Sequence, residues 1–394
     1  MLVPRPNLCP FLTLGQCADW EDVTLLNKVE ARKHHNFYGL LAVVMGCIGL
    51  VSFASQGMAD TLFPAKQPEL GGPVLTVYSS LDRELSRPLV DAFQTANPTV
   101  ALRYEEMQTQ DVYERTIEET DQSGKTADII ISSAMDLQMK LANDGYARRV
   151  DLPNIDIWPD WASWRDTAFA LTFEPAVIVY HKPSFIDIAP PHSRAELIAL
   201  LRERGDAFFG RIATYDIERA GVGYLFLALD EKNHRDIWDL VNALGSAGVK
   251  LYSNSSAILH RVAEGQFALG YNILGSYAAN WTKTHPELGI ILPSDYTLVM
   301  SRIALVPQAA QNPELGTQFL SFLMSREGQS IMAKQVGIPV LHPDIRGDNT
   351  VHHMATAHGS QLRPIAVRPS LMVYLDQVKR AKIVEKWNKA LSNQ

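Results

Sequence analysis

Hydroxyl-bearing side chains gather in short turns of this sequence, each between an apolar run and a helix-like pattern. The fullest example is residues 253–256, which read Ser-Asn-Ser-Ser and precede an apolar-periodic stretch at 257–264. Hydroxyls and the free backbone N–H groups of a helix N-terminus are suited to binding an anion. The same pattern fits an ordinary N-cap before a helix, so this turn alone leaves both interpretations open.

Three other turns repeat the arrangement at the ends of strand-like runs, near 79, 132 and 214, and a further strand-like run ends on Tyr271 and Asn272. Neutral donors of this kind complement phosphate, phosphonate or carboxylate oxygens, whereas a hard metal ion prefers several anionic oxygens. Arg211 or Arg302 could add a positive charge, although an arginine of this kind more often forms a surface salt bridge. The predicted ligand-binding residues are Ser79, Ser80, Ser132, Ser133, Thr214, Tyr215, Ser253, Asn254, Ser255, Ser256, Tyr271, Asn272 and Tyr277.

The sequence offers little support for catalysis or for a resident cofactor. The stretch 123–126 reads Ser-Gly-Lys-Thr, but Glu119 stands where a phosphate-binding loop needs its first glycine. The motifs of common serine hydrolases and zinc proteases are missing from the sequence. We therefore predict no catalytic residues, no metal ligands and no cofactor, and we keep an exported hydrolase only as a weaker alternative.

The overall composition excludes some partners. The net charge is −7 and no basic stripe is present, which argues against nucleic acid as a partner. The three cysteines are Cys9, Cys17 and Cys47, so the rest of the chain has neither a disulfide framework nor a thiol site.

The N-terminal region has the pattern of an export signal. Residues 30–36 are basic, residues 37–54 are almost wholly apolar, and small residues follow at Gly57 and Ala59. This order predicts a secretory signal peptide that is cleaved after Ala59, and thus a periplasmic protein. A single membrane anchor is the alternative, because the apolar run reaches the lower limit for a spanning helix.

The elements that must position the hydroxyl-rich turns alternate between strand and helix from residue 74 onward. This order predicts an α/β fold with parallel strands, whose ligands sit at the carboxyl ends of the strands. Two long apolar runs, 169–181 and 298–310, predict crossings between two lobes with a hinge and an interlobe cleft. We expect the first lobe at 73–175, the second at 176–297, and a return to the first lobe with C-terminal helices at 298–394.

These segments resemble the type 2 periplasmic solute-binding proteins of ABC transporters. The likeness is to the branch that includes iron(III), aminoethylphosphonate and phosphoglycerate binding proteins. It rests on the order of the stretches 74–93, 127–141, 176–183, 210–216, 251–277 and 303–333. The resemblance implies a two-lobed binding-protein fold, a monomer, a small anionic solute and an ABC permease in the inner membrane.

The resemblance leaves two further functions open. Iron-binding members of the branch use adjacent tyrosines, where this chain has Tyr277 alone at 272–280. This difference argues against direct chelation of iron(III), so binding of iron(III) or a ferric complex is kept as the alternative to an organic anion. A sensor subunit for a histidine kinase is another, because the sequence does not separate it from a transport subunit.

Overall fold

The computed structural model describes residues 59–153 and 155–392. The predicted signal sequence therefore lies outside the described residues, apart from Ala59, the first residue of a strand. The strands are β1 (Ala59–Phe63), β2 (Val74–Ser79), β3 (Ala101–Glu106), β4 (Ile129–Ser132), β5 (Ser163–Trp164), β6 (Ala168–Ala170), β7 (Glu174–His181), β8 (Ile212–Tyr215), β9 (Lys250–Tyr252), β10 (Leu269–Leu274), β11 (Leu288–Ile291), β12 (Thr297–Met300), β13 (Ile303–Leu305) and β14 (Leu362–Pro364).

Helices follow most of the strands in the described chain. They are α1 (Arg83–Ala96), α2 (Thr109–Ser123), α3 (Met135–Asn143), α4 (Arg194–Phe208), α5 (Gly221–Asn233), α6 (Ile237–Ser246), α7 (Ser255–Ala263), α8 (Gly275–Thr282), α9 (Pro313–Met324), α10 (Arg326–Ile331), α11 (Val351–His358) and α12 (Gln377–Ser392). Among these described helices, not one combines the length and apolar character that a membrane span requires.

The strands form two separate sheets. The first has the order β1-β3-β2-β4-β13-β6-β5, with β2 parallel to both β3 and β4. The second has the order β14-β12-β7-β10-β8-β9, and β11 also pairs with β7. The strand–helix alternation read from the sequence thus builds two α/β lobes, and the predicted two-lobed fold is confirmed.

Apolar patterning explains why these elements form. In α1 the side chains of Leu89, Val90 and Phe93 recur at helical spacing and are buried. Every residue of β4 is buried, as expected for a central strand covered on both faces. The core of each lobe therefore lies between its sheet and the flanking helices.

The chain crosses between the sheets at two short segments, each inside one of the two apolar runs that we predicted as crossings. It leaves the first sheet between β6 and β7 and returns between β12 and β13. The crossings are tied together: Ser301 Oγ donates to Thr172 O over 2.6 Å, and the Arg302 N–H donates to Thr172 Oγ1 over 2.8 Å. These side-chain bonds add to a backbone bond from the Leu171 N–H to the Arg302 carbonyl, over 2.9 Å, and apolar patterning cannot reveal them.

β1 pairs antiparallel with β3 at the edge of the first sheet, ahead of the strand–helix alternation that the sequence predicts from residue 74. α9 ends before Ser325, whose Oγ accepts from the Gly328 N–H and caps α10. The C-terminal helix α12 packs on α6, and β14 pairs with β12. The predicted lobe boundaries stay a prediction.

Candidate functional site

A cavity of about 260 Å³ is lined by residues from both lobes. Its volume lies just below the usual range for drug-sized ligands, ~300–1,000 Å³, so a small molecule fits it best. Most of the lining residues stand at or just beyond the ends of strands, where α/β sheets bind ligands. They are Ser80, Asp82, Glu106, Met107, Gln108, Thr109, Ser133, Tyr215, Val222, Ser253, Asn254, Ser255, Ser256, Leu274, Tyr277 and Arg302.

The structure brings together many of the predicted site residues in this cavity. Those that line it are Ser80, Ser133, Tyr215, Ser253, Asn254, Ser255, Ser256 and Tyr277. Several of these hydroxyls contact one another: Ser80 Oγ lies 3.4 Å from Ser133 Oγ, and Tyr215 Oη lies 2.5 Å from Ser255 Oγ. The turns near 80, 133 and 253–256 therefore meet in one place, as the strand order required.

The other predicted residues in the first lobe do not line the cavity. Ser79 and Ser132 are both buried. Ser79 Oγ accepts from the Leu81 N–H over 3.1 Å, and Ser132 Oγ accepts from the Ala134 N–H over 3.3 Å. Their hydroxyls shape the backbone of the turns that carry Ser80 and Ser133.

In the second lobe, Thr214, Tyr271 and Asn272 face away from the cavity. Thr214 Oγ1 donates to the Tyr271 carbonyl over 3.0 Å. The register of β10 shifts between Gly270 and Ile273, and Asn272 has a φ of 59°. This left-handed conformation marks a β-bulge, which re-aims the side chains beside it.

The bulged side chains join a buried cluster around Arg194, which we call the Arg194 cluster. Its acceptor is Asp230, which receives hydrogen bonds from Arg194 Nη2, Tyr271 Oη and Asn272 Nδ2 at 2.8–3.0 Å. Tyr296 Oη also donates to Asp230, over 2.6 Å. Arg194 and Asp230 are both fully buried, so the cluster is a sealed ion pair inside the second lobe.

The basic residue of the cavity is Arg302, one of the two arginines that the sequence suggested. Its side chain is only 2% exposed and Nε lies 3.1 Å from Glu174 Oε1. Nη1 donates to the Ser80 carbonyl over 3.2 Å, whereas Nη2 has no hydrogen-bond partner among the described residues. Burial acts to lower the pKa of Arg302, but Glu174, Tyr277 and Asp82 outweigh it and keep the group charged.

The second suggested arginine, Arg211, lies elsewhere. Its Nη2 donates to Ser184 Oγ over 2.9 Å, and it does not line the cavity. The His181 ring also lies 2.9 Å from Ser184 Oγ, away from the cavity. This histidine–serine contact therefore does not form part of the site.

Two carboxylates in the cavity were missed by the sequence reasoning. Asp82 looked like a first-turn helix acid, but its carboxylate accepts from Tyr277 Oη over 2.6 Å and from Ser256 Oγ over 3.2 Å. Asp82 thus joins the first lobe to the second. Glu106 ends β3, and its Oε2 accepts from the Arg83 N–H over 2.9 Å. The position of Glu106 at a strand end beside the serine turns was the available signal.

Helix N-termini at the cavity differ in what they offer a ligand. The start of α2 faces it through Gln108 and Thr109, with no side-chain cap. The start of α7 faces it through Ser255, although Asn254 already caps that helix. At α1 the carboxylate of Glu106 occupies the place that an anion would take. An anion is therefore favoured near α2 and α7.

The tyrosines of the cavity keep their protons. Burial raises the pKa of Tyr277 well above its usual value, and the hydrogen bond to Asp82 adds to this effect against the opposing charge of Arg302. Burial also raises the pKa of Tyr215 to about 12, although its contact with Ser255 acts in the other direction. Residues 59–153 and 155–392 contain no group of three or more His, Cys, Asp and Glu side chains placed to hold a metal ion.

Comparisons with known proteins give a consistent result. A family model described as bacterial extracellular solute-binding protein matches residues 75–335. A solved substrate-binding protein of an ABC transporter from Agrobacterium tumefaciens is 57% identical, with a TM-score of 0.82; the match covers 84% of this chain and 98% of that one. No curated protein gave a significant match.

More distant solved structures share the fold. The periplasmic binding protein AfuA from Actinobacillus pleuropneumoniae, with fructose-6-phosphate bound, is 15% identical with a TM-score of 0.69; the match covers 82% of this chain and all of that one. Iron-bound HitA from Pseudomonas aeruginosa is 16% identical with a TM-score of 0.63, over 81% of this chain and 99% of that one. At these identities the likeness extends to architecture alone.

Proposed function

Because this chain belongs to the bacterial extracellular solute-binding proteins and is the substrate-binding protein of an ABC transporter, we propose that its ligand is a small organic anion. The ligand carries a phosphate, phosphonate or carboxylate group and binds in the cavity between the lobes. The residues that we assign to it are those of the predicted set that line the cavity, together with Arg302. AfuA, whose structure holds fructose-6-phosphate, is an example of this ligand class on the same architecture.

The observation that carries this proposal is the state of Arg302. A guanidinium group that is 2% exposed and leaves Nη2 without a partner among the described residues is destabilising, because buried donors need acceptors. An anionic oxygen in the cavity would accept from Nη2 and complete the set of bonds. The hydroxyls of Ser80, Ser133 and Ser255 surround the same space and can donate to the remaining oxygens.

Iron(III) is the alternative that this site supports less well. Several solved structures of this fold bind ferric iron, and Tyr277, Asp82 and Glu106 all supply oxygen to the cavity. A phenol must lose its proton to coordinate iron(III), yet burial and Asp82 raise the pKa of Tyr277. The charged Arg302 beside it would also repel a cation.

The test is calorimetric titration of the mature protein with phosphoglycerates, phosphonates, di- and tricarboxylates, and ferric citrate. We expect an organic anion to bind, and Arg302→Gln to weaken it by about 10- to 150-fold, since a hydrogen bond to a charged group contributes roughly 1.5–3 kcal/mol. The matched control is Arg211→Gln, which removes an arginine that does not line the cavity. Binding of ferric iron without any response to organic anions would overturn the proposal.

The binding cycle that we propose includes closure of the lobes. Asp82 in the first lobe accepts hydrogen bonds from Ser256 and Tyr277 in the second, so these contacts belong to a closed arrangement. A ligand between the lobes would stabilise that arrangement. Small-angle scattering should show a more compact particle with saturating ligand, and an unchanged profile would contradict closure.

The partner, the oligomeric state and the export of the protein complete its functional description. An ABC permease is the partner that the family implies, and the protein acts outside the cytoplasm. We further propose that it is a monomer exported through a signal peptide cleaved after Ala59. N-terminal sequencing of the periplasmic protein checks the cleavage position, and light scattering checks the monomer. Stimulation of a histidine kinase instead of a permease ATPase would favour the sensor role.

A further inference from the structure

The charges around the cavity do not balance for a ligand that is only an anion. Among the residues that line it, the charged side chains are Asp82, Glu106 and Arg302. Arg302 already pairs with Glu174, which is fully buried directly behind it. Three carboxylates therefore stand in or beside the cavity against a single guanidinium group. A ligand that brings only further negative charge would be repelled by Asp82 and Glu106.

Both cavity carboxylates keep acceptor sites for a ligand. A carboxylate offers about four lone-pair sites. The Arg83 N–H occupies one site on Glu106, and the hydroxyls of Tyr277 and Ser256 occupy two on Asp82. A ligand with a donor group could bind Glu106 directly and could also use the free acceptor sites of Asp82 while the two hydroxyls stay in place. The cavity thus offers acceptors as well as the donor Arg302.

We infer that Asp82 and Glu106 select a ligand in which the anionic group is joined to a hydrogen-bond donor, either an ammonium group or a hydroxyl. The inference rests on the proposed function, since Arg302 and the hydroxyl turns bind the anionic end. Glu106 and Asp82 receive the donor end. A donor group satisfies the two carboxylates that a bare anion would leave in unfavourable contact.

This arrangement predicts which anions the protein rejects. Sulfate brings acceptors to both ends of the cavity, and simple alkyl phosphates bring nothing to the acidic end. Rejection of this kind is the usual way in which a site discriminates among ligands that share one group, because unpaired buried polar groups are destabilising. Glu106 is therefore a specificity residue and Arg302 an affinity residue.

The test is a matched ligand series in calorimetric titration of the mature protein. Ethyl phosphate, O-phosphoethanolamine and glycerol 3-phosphate share a phosphate monoester and differ in the donor. Propionate, β-alanine and glycerate repeat the contrast for carboxylates. We expect a donor-bearing member to bind at least 10-fold more tightly than ethyl phosphate or propionate. A preference for the amines identifies ammonium as the donor, and a preference for glycerol 3-phosphate or glycerate identifies hydroxyl.

Substitutions test which residues cause the preference for donor-bearing ligands. Glu106→Gln keeps an acceptor for the Arg83 N–H but removes the charge, so the 10-fold preference should shrink to 3-fold or less. Arg302→Gln should weaken every member of the series alike. Glu118→Gln is the control, because Glu118 is exposed on α2 and does not line the cavity.

The outcomes separate this inference from the proposed function. If ethyl phosphate or propionate binds as tightly as its donor-bearing partners, through Arg302, the inference is overturned and the proposed function stands. If the preference persists in Glu106→Gln and in Asp82→Asn, the carboxylates do not cause it and the inference is likewise overturned. If neither series nor the wider anion panel binds, the proposed function fails and takes the inference with it.

Discussion

Two arginines in the described part of the chain are fully buried, and they differ in their surroundings. Arg194 in the second lobe has a partner for each guanidinium nitrogen: Tyr271 for Nε, Asp295 and Tyr296 for Nη1, and Asp230 for Nη2. Arg302, at the crossing between the lobes, pairs with Glu174 and Ser80 and leaves Nη2 without a partner in the described chain.

The hydrogen bonding of the two arginines shows how a structural charge can be distinguished from a functional one. Burial of a charge is unfavourable unless its hydrogen bonds are complete. In the Arg194 cluster each guanidinium nitrogen has a protein partner, so no nitrogen of Arg194 is left for a ligand. At Arg302 the set is incomplete, and the residue lines a cavity. The incomplete set, more than burial or charge, indicates binding.

The largest expected effect comes from breaking the Arg194 cluster. Arg194→Met leaves Asp230 buried without its cation, and we expect the free energy of unfolding to fall by about 3–5 kcal/mol. Urea denaturation measures it. Tyr271→Phe is the milder variant; it removes the hydroxyl between Arg194 and Asp230 and should lower the free energy of unfolding by about 1–3 kcal/mol. Ligand affinity should be unchanged in Tyr271→Phe. A lower affinity at full stability would place the cluster in the binding site.

A buried carboxyl group that forms no ion pair in the described part of the chain extends this comparison. Asp136 on α3 is 1% exposed and its Oδ1 has no hydrogen-bond partner among the described residues. Burial raises the pKa of Asp136 from 3.8 to about 7, against the opposing effects of backbone N–H groups and of Arg380. The folded state therefore holds a proton that the unfolded state has already lost between these pH values.

The sign of the pH dependence follows. Because the folded protein binds the extra proton, its stability should decline as the pH rises from about 4 towards 7. Each pKa unit corresponds to about 1.4 kcal/mol, so the decline is on the order of 4 kcal/mol at most. Asp136→Asn should remove this part of the slope and stabilise the protein at pH 8. Parallel urea curves for parent and variant at every pH would contradict the assignment.

Ligand-linked stability separates the two arginines directly. A ligand at 100 times its Kd should raise the free energy of unfolding of the parent by about 2.7 kcal/mol. Tyr271→Phe should show the same increment from a lower baseline, because its site is intact. Arg302→Gln should show little increment at the same ligand concentration. Thermal denaturation with and without the ligand that calorimetry identifies is the measurement. Equal increments in both variants would remove the distinction between the two arginines.

The sequence allowed the architecture and the anion-binding turns to be predicted. Alternation of apolar strands and amphipathic helices led to the two-lobed fold. It also placed Ser80, Ser133 and the turn 253–256 at strand ends, where they meet in the cavity. Both conclusions rest on local patterns that survive folding, since the period of a strand and the position of its end are properties of short stretches.

The other features of the site could not be predicted, because they depend on contacts between distant segments. The bulge at Asn272 turns Tyr271 and Asn272 from the cavity into the Arg194 cluster, and no local signal in the sequence marks it. Asp82 resembled a helix acid because its partners, Ser256 and Tyr277, lie far along the chain. Whether all the hydrogen bonds of a buried arginine are formed likewise depends on partners that only the folded chain brings together.

The smallest expected effects come from the adjacent serines 79 and 80, which repeat the comparison within one turn. Ser79 Oγ accepts from the Leu81 N–H, so it is already hydrogen-bonded within the protein, like the nitrogen atoms of Arg194. Ser80 lines the cavity beside Arg302. Ser79→Ala should lower the free energy of unfolding by about 1 kcal/mol and leave ligand affinity unchanged. Ser80→Ala should weaken binding by a similar free energy, which is about fivefold in Kd. Calorimetry and urea denaturation of the pair measure both effects. If Ser79→Ala weakened binding and Ser80→Ala did not, the hydroxyl that the first-lobe turn presents to the ligand would be that of Ser79.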